Sequence, residues 1–243
     1  MEKKYKFTNE TKKVGGCVLH RIVAIRDFYN KRLGVIKKGT VGGYIESEEN
    51  LCHDDGSWVM DDACAYEHAQ VDRNGIVAEN ARVYDYAYVS CTAIVKGHAH
   101  VHGHACVSGD STVEGDTWVY ENTRVFGNAT ITGNAKVAGE IEVSGHATIT
   151  GEAEVYGTTY SEVLDNARID GRATVFGCLH AYGNAVLDNL AEINGCVYVC
   201  DNAHVGSVTL DGRDPCLMVC GDMDLHFPNN WKIIIGNEIK EVL

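Results

Sequence analysis

Residues 127–156 read GNATIT GNAKVA GEIEVS GHATIT GEAEVY. Five consecutive units share one pattern: Gly, a polar residue, Ala or Ile, a variable residue, Val or Ile, and a second variable residue. The period is six. The pattern continues in both directions, from the middle fifties to about residue 210. Toward the N-terminus an acid often takes the place of the Gly, as at Asp61, Glu67, Glu79 and Asp85. Self-similarity at a fixed period decides the architecture before any single residue is weighed.

Hexads starting at 55, 61, 67 and onward to 157 number 18. A two-residue slip follows near Tyr160 to Leu164, and hexads starting at 165 and onward to 207 add 8 more. The third position is mostly Ala, from Ala63 and Ala69 to Ala191 and Ala203, and the fifth is nearly always Val or Ile, from Val71 to Val205. Two inward side chains with an outward one between them is strand alternation. The Gly, Asn, Asp or Glu that follows makes a corner, where left-handed backbone is cheap for Gly and Asn. One hexad cannot bury its own apolar face, but stacked coils of three hexads can. The sequence therefore predicts an all-β, single-stranded parallel β-helix with an interior of Ala and Val ladders. At about 4.8 Å per coil the repeat would make about 8 to 9 coils and run about 40 Å.

Composition agrees. Hydrophobic residues make up 45% of the 243, which excludes a disordered chain. The two prolines, Pro215 and Pro228, lie beyond the repeat, as long strand pairing requires. Residues 1–38 hold 11 Lys and Arg against 3 acids; the rest of the chain holds 10 against 31. An acidic body repels nucleic-acid phosphates, so nucleic acid is not an expected partner. A basic head caps it. No apolar stretch approaches a membrane span, and no apolar core follows the first basic residues as in a signal peptide. The expected compartment is the cytoplasm, with the 10 cysteines mostly reduced.

The ends must cover unpaired strand edges. Residues 17–28 alternate like a strand, and Lys37-Lys38-Gly39-Thr40 reads as a turn. Trp231 to Ile235, Gly236-Asn237 and Glu238 to Leu243 read as a hairpin. The expected division is a basic N-terminal cap at 1–54, a solenoid at 55–212 and a C-terminal cap at 213–243.

The hexads resemble the hexapeptide-repeat, left-handed parallel β-helix superfamily, which includes acyltransferases and γ-class carbonic anhydrases. They depart from it in placing Gly two positions after the aliphatic residue. The head narrows the resemblance. Residues 21–28, RIVAIRDF, and 39–46, GTVGGYIE, resemble the opening of the YdcK-like family of bacterial and phage proteins. The resemblance covers nearly the whole chain. It implies left-handed winding, and self-association as a trimer, common among hexapeptide-repeat proteins; it implies no established activity.

Residues 18 apart should lie above one another. One outward column reads Tyr66, Tyr84, His102, Tyr120, Ala138, Tyr156 and, past the slip, Phe176. Its neighbour reads Cys64, Arg82, His100, Trp118, Lys136, Glu154. Tyr, Trp, His and Arg are enriched in binding hot spots, so this face is expected to be an oligomer or partner interface. Ring ladders that merely brace successive coils are the structural alternative. Arg82, Tyr84, His100, His102, Trp118, Tyr120 and Lys136 would also suit a nucleotide-like anion, rings on the base and cations on the phosphate. That variant would serve a phage-type anti-defence protein that sequesters a ligand or blocks a host protein. A third column, Trp58, Ile76, Ile94, Thr112, Thr130, Thr148, would make a flat β-branched strip.

Other chemistry is weaker. His100 and His102 project from one strand about 7 Å apart, but His98 and His104 sit at corners and no third ligand converges. The pairs Cys196/Cys200 and Cys216/Cys220 resemble a four-thiolate zinc set, and Cys178 stacks below Cys196 as a reduced thiol. An acyltransferase needs a placed base beside a closed acceptor site, and the repeat has no long loop to make one. The sequence thus points to a non-catalytic binding solenoid without cofactor. An acyltransferase-like enzyme rests on fold analogy alone. Nucleic-acid mimicry would need acids in regular columns, which Glu114, Glu142, Glu154 and Glu192 do not form.

Overall fold

The computed structural model describes residues 2–226, 232–235 and 238–241. The chain is all-β, 1% helical, and forms a parallel β-solenoid of about 10 turns. It divides into two compact units, Met1–Glu121 and Asn122–Leu243. The turns slightly outnumber those the regular hexads supply because parallel pairing extends past them. It starts at Tyr44↔Cys64 and Ile45↔Ala65. It continues to His204↔Asp224 and Leu210↔Ile234.

In the first unit each hexad gives a two-residue strand, such as Arg82–Val83, Tyr88–Val89 or Ile94–Val95. Each pairs with the equivalent strand one coil on: Arg82↔His100, Tyr88↔Cys106, Ile94↔Thr112. The third and fifth positions fill the interior; Ala81, Val83, Ala87, Val89, Ala93 and Val95 are all buried. The corner is a tight turn, with the Ala81 N–H donating to the Ala78 carbonyl at 3.2 Å.

The acids at position one have left-handed backbone: φ is 55° at Asp61, 57° at Glu67, 59° at Glu79 and 57° at Asp85. Each carboxylate accepts the corner N–H of the next coil. Glu79 N–H donates to Asp61 (3.1 Å) and Gly97 N–H to Glu79 (3.1 Å). On the adjacent corner Glu67 N–H donates to Glu46 (2.7 Å), Asp85 N–H to Glu67 (2.8 Å) and Gly103 N–H to Asp85 (3.0 Å). Acids therefore do form regular columns, at the corners rather than on the faces, and these carboxylates are engaged by backbone amides.

Five strands build the head: β1 (Tyr5–Val14), β2 (Cys17–Ala24), β3 (Phe28–Asn30), β4 (Gly34–Ile36) and β5 (Val41–Ile45). β1 and β2 pair antiparallel, as do β2 and β5, and β3 and β4. The strand expected over 17–28 ends at Ala24. Asp27 then ties the following turn, accepting from the Lys38 N–H (2.8 Å) and pairing with Lys37 (2.9 Å).

The head's cations meet the acidic first coils. Lys4 is fully buried; its Nζ donates to the Ser57 carbonyl (2.7 Å) and the Asp55 carbonyl (3.0 Å). Burial holds its ammonium below the usual lysine range, against the pull of Asp55. Arg21 pairs with Glu10 (3.0 Å) and Asp62 (2.8 Å) and lies over the Tyr44 ring (4.3 Å). Phe28 packs edge-on against Trp58 at 5.3 Å. Trp58 is buried against Tyr5 and Phe28 of the head, and Ile76 is buried too, which corrects the exposed β-branched strip expected there. Only Ile94 and Thr112 of that column remain partly exposed in the first unit.

In the second unit Gly replaces the acid at most corners. Gly139 has φ 98°, and a Cβ there would overlap the Gly157 carbonyl oxygen. The slip falls at 158–160, slightly earlier than expected: Gly139 pairs with Gly157 and Ile141 with Ser161. A second shift lies between Gly212 and Leu217, opposite Gly195 and Val197. An Asn ladder runs up one corner, Asn166 to Asn184 (3.1 Å), Asn184 to Asn202 (2.9 Å) and Asn202 to Asp222 (2.9 Å).

The expectation of reduced thiols is corrected for four cysteines. Cys196–Cys216 and Cys200–Cys220 are disulfides with Cα–Cα separations of 4.9 and 4.6 Å. Stacking puts residues 20 apart in sequence at bonding distance, whereas the sequence suggests pairs four apart, Cys196 with Cys200 and Cys216 with Cys220, in one four-thiolate set. A zinc site made of four thiolates is thereby removed. Beyond them Lys232–Ile235 and Glu238–Glu241 pair antiparallel; Trp231, Gly236, Asn237 and residues 242–243 of the expected hairpin lie outside the described residues.

Candidate interaction surface

Three side-chain ladders rise on adjoining faces of the first unit. The first is Tyr66, Tyr84, His102, Tyr120. Tyr84 stacks on Tyr66 (centroids 5.1 Å, planes 8° apart) and on His102 (4.7 Å, 3°); His102 stacks on Tyr120 (5.1 Å, 3°). The second is Cys64, Arg82, His100, Trp118, register partners in successive strands. His100 lies flat on Trp118 at 4.2 Å and meets Tyr84 edge-on at 6.1 Å. The third runs along the corner: Tyr86 stacks between His68 (4.8 Å) and His104 (5.0 Å). Sequence reading missed this one, although its members are also 18 apart, because corner positions had been treated as turn residues only.

The lower end of the first two ladders is already occupied. Cys64 and Tyr66 sit in a buried cluster with Val14, Leu19 and Tyr44, and Tyr84 packs against it. Burial, then the neighbouring Tyr84, raises the Tyr66 hydroxyl above the usual phenol range. Burial, then Asp85, raises Tyr84 as well. Burial lowers His100, and Arg82, His102 and His98 add to it, so that ring is neutral near pH 7. Asp85 works at the boundary between ladders: it accepts the Gly103 N–H and faces His102 Nδ1 at 3.3 Å.

The exposed part of the surface is its upper half and its corner. Trp118 is 38% and Tyr86 57% exposed. The internal rings of each ladder have their flat faces covered by neighbours, so they present edges, not platforms. Arg82 makes no salt bridge among the described residues. Lys136 and Tyr156 belong to the second unit, where Lys136 pairs with Glu154 (2.7 Å) and Tyr156 stacks on Phe176 (5.1 Å). Of the expected nine site residues, the structure thus shows Tyr66, Tyr84, His102 and Tyr120 in one stack and Arg82, His100 and Trp118 in the next.

Cavities in each unit are shallow, and those of the second unit are lined by paired charges. One of about 520 Å³ is lined by Lys136, Glu152, Glu154, Arg172 and Glu192. Among the described residues the group of Cys200, Asp201 and Cys220 is spaced like metal ligands, but both sulfurs are bonded to each other and offer no thiolate. No described helix is long and apolar enough to cross a membrane.

No protein-family model and no curated protein matches the chain. Its class is set by the fold: an all-β parallel solenoid.

Proposed function

We propose that this solenoid acts by binding, that the ringed face of its first unit is the contact surface, and that a second copy of the chain is its first partner. The supporting observation is the pairing of half-exposed Trp118 with Arg82, two coils apart in one column, beside stacked rings that hold their edges flush. Pre-stacked rings lose little side-chain freedom on binding, and Trp and Arg are strong anchors when covered. A chain with 31 acids beyond residue 38 offers carboxylates for Arg82 to meet. The resemblance to the YdcK-like hexapeptide-repeat proteins, with its left-handed winding and trimeric assembly, belongs to the same reading.

Light scattering tests it. The wild-type chain should run as a multimer, and Arg82→Glu with Trp118→Glu should reduce it to single chains with an unchanged circular dichroism spectrum. An unaltered mass refutes the interface. The second reading, capture of a nucleotide-like anion as a phage anti-defence protein would do, is favoured by Arg82, His100 and Trp118 following one another in one column. Covered ring faces restrict such a ligand to edge contacts or to Trp118. Absence of thermal stabilisation by nucleotides and cyclic nucleotides would end it.

A further inference from the structure

A different constellation lies in the second unit, independent of the ringed face. Three cysteines share one outward column. Cys178 and Cys196 are register partners in adjacent coils, and Cys196 is bonded to Cys216 of the coil after that, Cα–Cα 4.9 Å. Adjacent coils stand about 4.8 Å apart, inside the Cα range that disulfides span. Cys196 is therefore flanked on both sides by a cysteine at bondable spacing. Only one of the two flanking partners is bonded to it; Cys178 is a free thiol.

Beside that thiol stands a base. Cys178 Sγ lies 3.3 Å from His180 Nε2. His180 Nδ1 lies 3.4 Å from Glu162 Oε2, and its ring is held flat on Tyr198 at 4.4 Å. With Leu179 turned inward and buried, Cys178 and His180 project from the same side of the strand Thr174–Ala181. A proton on Nδ1 facing Glu162 leaves Nε2 as the acceptor that faces the thiol. The base is needed: burial, then the Glu162 carboxylate, raises the Cys178 thiol above its ordinary range, and only the thiolate attacks.

We propose that Cys178, Cys196 and Cys216 form a thiol–disulfide exchange site, with His180 as its base and a disulfide-bearing partner as its outlet at Cys216. His180 takes the Cys178 proton. The thiolate forms a bond to Cys196 Sγ as the Cys196–Cys216 bond breaks, and the electron pair leaves on Cys216. The proton held by His180 passes through solvent to the Cys216 thiolate. One thiol and one disulfide enter and one of each leaves, so no oxidant is consumed. The column geometry suits the step, because attacking, central and leaving sulfurs belong to three successive coils. The Cys200–Cys220 bond keeps the last two coils joined while the first bond migrates. The exchange moves a free thiol from half-buried Cys178 to exposed Cys216, where its thiolate can attack a partner's disulfide, the mixed disulfide forming as the partner's other sulfur leaves as a thiol.

The test uses the full chain, without reductant, alkylated in timed pulses, quenched in acid, digested with pepsin and mapped by mass spectrometry. Wild-type protein should show label on Cys178 in some molecules and on Cys216 in others, never on both in one molecule. Label confined to Cys178 overturns the proposal. Cys216→Ser, treated with oxidised glutathione, should yield a Cys178–Cys196 cross-link; glutathione retained on Cys196 beside a free Cys178 overturns it. His180→Ala should slow the appearance of Cys216 label at least about tenfold, below the 10²–10⁴ typical of a general base, while leaving the far-ultraviolet dichroism unchanged; an unchanged rate removes His180 from the step. Stoichiometric zinc in the purified chain would also refute the site, since it would require those sulfurs as thiolates.

Discussion

Position one of the hexad carries two burdens at once in the first unit. Its backbone is left-handed, which costs a non-Gly residue about 1–2 kcal/mol, and its N–H needs an acceptor from the coil before. Asp85 meets the second need for Gly103 and shares in the first with φ 57°. Burial works to raise the Asp85 carboxyl, but the Gly103 amide, Glu67 and His102 outweigh it and hold it below the ordinary 3.8. A carboxyl lowered by folding contributes stability that is present above its unfolded value and lost as pH falls through its folded one. Asp85→Asn keeps an acceptor and a residue tolerant of positive φ, so it should cost about 1 kcal/mol at pH 7, the difference between a charged and a neutral hydrogen bond. It should also flatten the fall in melting temperature below pH 4. Asp85→Val loses the acceptor and adds β-branching in a left-handed position, for about 3 kcal/mol in total. Urea midpoints at pH 7, with melts at descending pH, would separate these; equal costs for Asn and Val would show that the carboxylate column carries no load.

Ladders are the element-level counterpart of those corners. A two-residue strand such as His100–Val101 has little to hold it except its neighbours one coil away. His102 contributes through two stacks, on Tyr84 and Tyr120, each aromatic pair adding about 0.5–1.5 kcal/mol beyond burial. His102→Ser should therefore cost about 1–3 kcal/mol by that range. Tyr86→Ser, on the more exposed corner ladder, should cost less than His102→Ser although it also breaks two stacks; chemical denaturation monitored by dichroism would rank them, and the reverse order would show that exposure does not weaken the stacks. The 18-residue register that defines these ladders was legible in the hexads, since Ala and Val periodicity fixes which side chains face out. Two things were not. The first slip was visible, displaced to 160–164 from its place at 158–160, but the extra residues at 213–216, where Pro215 falls, fix a new offset that no hexad spacing states. Disulfide pairing depends on that interrupted register: Cys196 and Cys216 stand 20 apart, so counting by 18 misses them, and the thiol beside His180 gained meaning only once Cys196 proved to be bonded upward. The corner acids were visible at 61, 67, 79 and 85 as substitutes for Gly, but they stack in two columns whose partners are backbone amides, which a list of side chains does not display.

At the scale of the whole molecule, charge is divided between a basic head and an acidic remainder, and the first unit shows what the division does. Lys4, Arg21 and Arg32 each meet an acid of the coils: Asp55, Asp62 and Asp110, at 3.2, 2.8 and 3.5 Å. Exposed ion pairs contribute little, so the pairs at Arg21 and Arg32 orient the head more than they hold it. Burial holds it. Trp58 packs against Tyr5 and Phe28, and Tyr66 against Val14 and Leu19 of the head, and a large apolar side chain is worth about 1.5–3 kcal/mol when fully covered. β2 also pairs with β5, the strand that opens the parallel stack. Deleting residues 1–38 would uncover those two side chains, leave β5 with an unpaired edge and strip Asp55 of its buried lysine. An open, apolar strand edge recruits other chains. The truncated chain should therefore form polydisperse aggregates in light scattering. Adding the isolated 1–38 peptide should reduce them, and high salt should hinder that rescue only slightly, because the dominant contribution is apolar and salt screens the ion pairs alone. A truncated chain that stays monodisperse, with wild-type melting behaviour, would mean that the first coils close themselves and that the head serves another purpose.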